Sequence, residues 1–490
     1  MDNFPFISFK TVCVKMDEIE LAKREIEEKR EREALNLTKK EFDKFKNIRE
    51  EYKPTLPDVN IILDDSVVGE HSTRMSLFCI FILSEKCSYV SGPSAGGKTQ
   101  IMDACIDCLM PGCGLQIEGG SDKVIFEKKA EIEKAKYIEI PELNKINPMV
   151  VEILKSWGEG KPYTYERTKI QGGYNPFTLP AKPFVFSRAD ESANDVVVID
   201  ELRSRLVETT VDGSQEQTEN VMSRQADNYE NPFDIEQTDE LEKACLRYHI
   251  SNLPDYDTYV NPAAGILKSY IPTVFTTARR DFPKYLDNCN GIARFYYKDR
   301  MTADINGQKT LFVTPEDVFL NHFVFGSSLI QSALRCSHNE KVMIQVLKKM
   351  GFANKSQLQQ ALRKHSINIT LKVLNDHLTK LTDLGYLNVE KEGRNNIYNV
   401  SEFYDEFLIK PDFQQLVDYM CNIMRTVSHY QPYAEEYIER FCTPDKLVTQ
   451  NPITGEHIDI LNHDFSQPHE VIDTKSTRIS TEERGQMTLC

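Results

Sequence analysis

The stretch "SGPSAGGKTQ", residues 91–100, satisfies the pattern G-x-x-x-x-G-K-[ST] from Gly92 to Thr99. The pattern has a physical basis. Gly92 and Gly97 let the backbone curl so that its N–H groups converge, and the N-terminus of a following helix adds its positive end. Such a cradle suits a phosphate chain. In this reading Gly92, Pro93, Ser94, Ala95, Gly96, Gly97, Lys98 and Thr99 line an ATP site. Lys98 reaches the β- and γ-phosphates, and the Thr99 hydroxyl holds Mg2+. The motif requires a strand before it and a helix behind it. "CSYVSG" (87–92) reads as the strand and "KTQIMDACIDCLM" (98–110) as the helix.

Outward from the loop, "KYIEIPE" (136–142) and "PFVFS" (183–187) read as two further buried strands. Strands alternate with helical stretches over residues 61–212, which predicts an α/β core with a mostly parallel sheet. Residues 213–335 read as a mainly helical lid. Between 337 and 402 three helical stretches, "EKVMIQVLKKMG", "KSQLQQALRKH" and "TLKVLNDHLTKLTDLG", precede "YLNVEKEGRNNIYNV", a hairpin turning at Gly393. Three helices and a two-stranded wing make a winged-helix pattern. Residues 403–490 open with a helical segment, and the polar, turn-rich sequence after about 445 predicts a disordered tail. The first 60 residues are mainly one charged helix. From 17 to 53 both signs interleave at helical spacing, as on a solvent-facing helix, and "KPTLPDVN" stops it.

A chain of 490 residues accommodates about two to four domains. Its net charge of −16 argues against a protein coated in nucleic acid and leaves room for local basic surfaces. The longest apolar run, "MSLFCIFIL" (75–83), is about half of what a bilayer crossing needs, so no membrane partner is expected. "MDNFPFISFK" does not read as a signal peptide, and the twelve cysteines form no framework. Reduced thiols and a cytoplasmic location follow. Cys105, Cys108 and Cys113 have zinc-like proximity but fall where the helix behind the loop runs, so they read as buried thiols.

Hydrolysis needs a carboxylate to orient water, at the end of a neighbouring strand. The usual motif is four apolar residues followed by Asp-Glu. Glu142 falls at the Glu position, but Pro141 occupies the Asp position, leaving Glu139 as a second candidate near the metal. Ser187 closes "PFVFS" where a polar residue commonly meets the γ-phosphate or attacking water; Arg188 is the alternative. Arg205, or Arg203 two residues earlier, fits an arginine finger. Arg279 and Arg280 begin a helix, a place where cations oppose the dipole unless a phosphate lies nearby.

In this order, these residues resemble an AAA+ ATPase of the minichromosome-maintenance (MCM) type. The chain is similar in particular to the MCM-like helicase modules of plasmid, viral and integrated-element primase–helicases. "VVGEHSTRMSLFCIFIL" resembles that group's lead-in segment, and "IDELRSRLVETTVDGSQEQTENVMSRQAD" its finger segment. "TTARRDFPKYLDNCNGIARFYYKDR" and "VTPEDVFLNHFVF" resemble its lid helices. The resemblance spans roughly residues 61–400. It implies Glu142 as catalytic base, Ser187 as first sensor, Arg205 as finger and Arg279 as second sensor, in a homo-oligomeric ring. It also implies a DNA-gripping hairpin before the first-sensor strand. "GKPYTYERTKIQGGYNPFTLPAK" stands there with Lys161, Arg167, Lys169 and Lys182. The 337–400 segment adds ten cations against five carboxylates, a net +5, with Lys372 and Lys380 on the recognition helix and Lys391 and Arg394 in the wing. The short N-terminal region departs from MCM proteins, which usually carry a large N-terminal collar.

Two functions follow as expectations. One is a helicase or translocase acting on DNA in replication; the other is an ATP-switched initiator or loader binding DNA through its winged helix. A small-molecule kinase would use the same loop but has no use for the basic winged unit. A separate primase or replication factor is the expected partner, because the "DYD" at 255–257 sits in a Pro-containing loop without a zinc ribbon.

Overall fold

The computed structural model describes residues 9–465 apart from 94, 118–123, 142–147, 169–173, 190–201, 203–204, 234–236, 272, 274–275, 334–335, 365–366, 368, 394 and 403–410. The strand expected before the glycine loop is β1 (Ser88–Gly92). It is followed in the chain by β2 (Gly114–Gln116), β3 (Tyr137–Ile140), β4 (Tyr163–Thr168), β5 (Tyr174–Leu179), β6 (Phe184–Ala189) and β7 (Val207–Thr210). All but β4 and β5 join one parallel sheet, in the order β2-β3-β6-β1-β7. A parallel sheet covered on both faces calls for unbroken apolar strands rather than alternation. Every residue of β1 and of β3 is buried. On one face Val90, Tyr137, Val185 and Val207 pack with Ile101, Met102 and Cys105 of the helix behind the loop. On the other, Tyr89, Ile138, Ile140, Phe184 and Phe186 pack with Leu154 and Trp157.

The N-terminal region differs from the single charged helix expected. It forms α1 (Phe9–Ala34) and α2 (Lys39–Ile48). Asn36, at φ 57°, turns the chain, and Thr38 with Glu41 closes a reciprocal cap on α2. The second helix doubles back on the first, pairing Lys46 with Glu28 at 3.3 Å and Arg49 with Glu31 at 3.4 Å. Phe42 and Phe45 are buried with Ala244 and Cys245, so this pair is docked and not wholly solvated. α3 (Leu56–Asp64) and α4 (His71–Leu77) follow, and a π-helical turn over Phe78–Leu83 continues α4. The apolar run 75–83 lies in this element and is buried throughout, apolar because it fills the core. No described helix is long and apolar enough to cross a membrane.

Behind the loop runs α5 (Lys98–Asp107), and α6 (Pro148–Gly158) covers the other sheet face. After β7 come α7 (Gln215–Glu230) and α8 (Glu240–Ser251). Residues 213–335, expected to be mainly helical, also contain a second sheet: β8 (Thr258–Val260), β9 (Thr302–Ile305) and β10 (Gln308–Phe312), ordered β8-β10-β9. Around it lie α9 (Ala278–Phe295) and α10 (Pro315–Ala333).

Residues 337–402 fold about their own core. α11 (His338–Met350), β11 (Ala353–Asn354), α12 (Lys355–Arg363), α13 (Leu371–Asp383), β12 (Leu387–Glu392) and β13 (Asn395–Val400) enclose Ile344, Leu347, Leu358, Leu374, Leu378 and Tyr386. The sheet order is β11-β13-β12. Glu340, 1% exposed, caps α11 and accepts from His377 Nδ1 at 2.9 Å and Lys380 Nζ at 2.8 Å. Burial alone would raise its pKa; His377, Lys380 and the Ser337 N–H outweigh burial and hold the carboxyl at about 2. A depressed carboxyl stabilises the folded state above its unfolded pKa. We therefore expect this unit to lose stability as pH falls from about 4.5 towards 2, and Glu340→Gln to flatten that dependence in acid unfolding followed by circular dichroism.

The C-terminal region corrects a second expectation. The residues after 445 are not a free tail up to 465. α14 (Phe413–Thr426), α15 (Ala434–Phe441), β14 (Val448–Gln450) and β15 (His457–Asp459) return to the main core. Phe413, Leu416, Met420, Tyr437, Leu447 and Ile460 join the same cluster as Val90 and Phe319. Asn60 Nδ2 donates to Ile453 O at 2.9 Å, and Thr449 Oγ1 to Glu316 at 2.7 Å. The 337–402 unit is thus an insertion between elements of one core. Residues 466–490 lie outside the described residues.

Candidate active site

The loop leaves β1 at the sheet's carboxyl end, where open α/β sheets bind their ligands. Gly92 has φ 145° and Gly97 φ 77°. A Cβ on Gly92 would stand 2.2 Å from Val211 Cγ2, so no other residue fits without moving β7's exit. Lys98 opens α5, is 8% exposed and donates to Gly92 O at 3.1 Å and to Pro93 O. Thr99 is half-buried in the same turn. Ser94 lies outside the described residues.

Sequence reasoning missed the residues that bracket this loop. Gln100 Nε2 donates to Ser66 O at 2.5 Å, Gln217 Nε2 to Val68 O at 2.7 Å, and Asp212 N to Glu70 at 2.7 Å. Burial pushes the Glu70 carboxyl up to about 7. Arg74, fully buried, pins this flank: Nε donates to Asn60 at 2.8 Å, and Nη1 to Asp64 at 2.8 Å and to Val67 O at 2.6 Å. The only signal in the sequence was Gly69, a turn residue just ahead of an apolar run; both Gly69 and Glu70 take positive φ.

Glu139 is 3% exposed and faces α5, where it meets Asp103. Burial first, and then the charges of Asp103 and Asp107, raise its pKa to about 8. Glu142 lies outside the described residues. Ser187, paired in register with Val90, is 4% exposed, and its hydroxyl donates to Pro141 O, tying β6 to the end of β3. Cys105 and Cys108 are buried within and just after α5, and burial pushes Cys108 up to about 12. Among the described residues no group of three potential metal-ligating side chains comes together.

Arg205 stands at the other end of the sheet. β7 runs parallel to β1, with Ser88 opposite Val207 and Ser91 opposite Thr210. Arg205 precedes β7, so roughly 16 Å of strand separates it from the loop end. Its Nε donates to Glu159 at 2.9 Å, and Lys161 pairs with the same carboxylate at 2.9 Å. Arg203 lies outside the described residues. Arg279 is exposed in the first turn of α9. That helix donates from Lys284 Nζ to Leu206 O at 3.0 Å and pairs Asp287 with Lys86 at 2.7 Å and Arg294 with Glu85 at 3.1 Å. Those partners all precede β1 or β7.

β4 and β5 pair antiparallel from Tyr163–Leu179 to Thr168–Tyr174. The tip, 169–173 with Lys169, and the Arg167 side chain lie outside what is described. Lys182, expected in the hairpin, follows it, and its Nζ donates to Glu133 O at 3.2 Å and to Ala135 O, at the end of a short helix where cations are favoured. Lys380, its side chain 39% exposed on α13, pairs with buried Glu340 at 2.8 Å. Lys372 and Lys391 are exposed, and Arg394 lies outside the described residues.

This geometry defines a mixed α/β protein whose parallel sheet carries a strand–glycine loop–helix unit. No protein-family model matches the chain, and no curated protein matches it at a significant level. Among solved structures, a Cytophaga hutchinsonii protein assigned as an ATPase matches with TM-score 0.34 and 13% identity, over 67% of this chain and 97% of that one. The ORC2 protein of Aeropyrum pernix, solved as ADPNP–ADP complexes, matches with TM-score 0.23 and 11% identity, over 72% and 92%. Cdc6p from Pyrobaculum aerophilum matches with TM-score 0.21 and 11% identity, over 74% and 97%. The functional reading rests on the chain's own strand order and side chains.

Proposed function

We propose that the chain is an AAA+ ATPase of the MCM-like type, assembling head to tail into a ring and moving along DNA in replication. The observation that carries this reading is the opposition of two ends. The glycine loop sits at the carboxyl end of the sheet, and Arg205 at the amino end. One copy does not bring Arg205 to its own loop. A neighbour stacked head to tail does, and repetition that closes makes a ring.

Lys98, at the start of α5, would turn from the loop carbonyls of Gly92 and Pro93 to the phosphates. Charged phosphate oxygens are the stronger acceptors, by roughly twofold in hydrogen-bond strength. Thr99, on the first turn of α5, would hold Mg2+, which supplies charge neutralisation on the phosphates when bound. Glu142 orients the attacking water. Ser187, one strand over, serves as first sensor by linking the β6 and β3 ends. Arg205 and Arg279 of the adjacent copy stabilise the transferring phosphate. The β4–β5 hairpin, with Lys161, Arg167 and Lys169, contacts the DNA backbone. The 337–402 unit, as a winged helix with Lys372, Lys391 and Arg394, supplies a second contact. That unit's separate core favours the alternative of an initiator or loader, since an autonomous module docks on a site without tracking along it.

ATP hydrolysis with and without single-stranded DNA distinguishes the two. The motor reading expects strong stimulation that Glu142→Gln abolishes. Slow hydrolysis indifferent to single strands would turn the reading to the initiator or loader.

A further inference from the structure

We infer that Asp103 and Glu139 together take the cation-holding place that an aspartate at position 141 would fill, gripping the hydrated Mg2+ of a bound nucleotide through its waters. This rests on the nucleotide reading of the glycine loop. Pro141 offers no side-chain ligand, and its carbonyl already accepts from Ser187. Glu139 lies two residues earlier, on the same face of β3 and about 6.6 Å deeper. That face packs with α5, since Tyr137 shares its core with Met102 and Cys105. Asp103 follows Thr99 by four residues, on the same face of α5 and about 6 Å along it. Helical side chains lean towards the N-terminus, so the Asp103 carboxylate leans back towards Thr99. Asp103 and Glu139 therefore form the layer directly beneath Thr99 and Pro141, close enough for each charge to act on the other.

Glu139 is 3% exposed, and its Oε1 has no hydrogen-bond partner among the described residues. Its strongest charged neighbours are carboxylates, Asp103 and Asp107, which repel it. A carboxylate kept purely for structure would be paired with a cation. Two carboxylates and an orphan oxygen beneath a threonine hydroxyl suit a small divalent ion that keeps several of its waters.

The test is binding of a fluorescent ATP analogue to the full chain, in EDTA and then with rising Mg2+, for the wild type, Asp103→Asn and Glu139→Gln. Each variant should need about tenfold more Mg2+ for half-maximal enhancement, with its metal-free affinity unchanged. The double variant should need little more than either single one. Mn2+ binding in the presence of ADP, read by electron paramagnetic resonance, should weaken in parallel. Asp103 is exposed, so its variant keeps the fold even if Glu139→Gln does not. Unaltered Mg2+ demand with normal nucleotide binding overturns this proposal alone. Failure of the wild type to bind the analogue with or without metal brings down the nucleotide reading and this proposal with it.

Discussion

Mixing two inactive variants, Arg205→Ala and Lys98→Ala, restores ATP hydrolysis that neither shows alone. The expectation follows from the separation of the two side chains across the sheet. A competent site then takes its loop from one copy and its arginine from the next. Loss of the finger costs about 10³–10⁵ in rate while leaving nucleotide binding intact. Loss of Lys98 removes the cation of the cradle and with it the affinity for nucleotide. In an equal mixture, about one interface in four unites an intact loop with an intact arginine, provided the copies assort at random in a closed assembly. Recovery to about that share of wild-type turnover is the expected reading. Activity equal to the mean of the separate variants would sink the shared site. Arg205 precedes β7, outside the sheet, and its partner Glu159 keeps Lys161 when the arginine is removed, so the substitution leaves the core intact.

The largest effect on stability is expected at Asp317. Arg300 is 5% exposed and Asp317 is wholly buried. The guanidinium donates to Asp317 through Nε at 3.0 Å and Nη2 at 2.7 Å, and to Glu316 at 2.9 Å. Asp317 also accepts from Thr314 N and Oγ1, each at 2.8 Å, closing the start of α10. Removing the buried carboxylate leaves buried Arg300 leaning on the partly exposed Glu316, so Asp317→Asn should cost about 3–5 kcal/mol. The shift of the urea midpoint measures it. Replacing Arg300 and Asp317 together by Leu should cost less than the single change, because both fully buried charges then go together and the carboxylate left behind, Glu316, is partly exposed. A double variant less stable than Asp317→Asn would show instead that the pair itself supplies net stability.

The sheet around the loop was legible because its strands are short, apolar and locally bounded. "CSYVSG", "KYIEIPE" and "PFVFS" each announce a doubly covered strand through composition alone. The loop was legible because its glycines and lysine carry a backbone requirement that few other patterns meet. The C-terminal hairpin was not, since Leu447, Ile458 and Ile460 are too sparse to signal a core of their own. Only the surface left open by α10 and α14 gives them a place. The break at Asn36 went unread although its signals are local: the uncharged "ALNLT" (34–38) interrupts the charge pattern, and Thr38 and Glu41 have the spacing of a reciprocal cap.

By itself, then, the sequence determined the local pattern: a glycine-rich loop, the strand and helix that frame it, and a basic unit of three helices and a hairpin. The tertiary structure decided which charges remain available. It gave Lys380 to Glu340 across 40 residues and Lys182 to the carbonyls of Glu133 and Ala135. It set Arg205 away from the chain's own loop, and it brought Asp103 against Glu139. The physical reason is range. Backbone preference and apolar periodicity act over a few residues and are written in order along the chain. The partner of a charge is whichever group the fold carries within hydrogen-bonding distance, and that is settled only when the layers close.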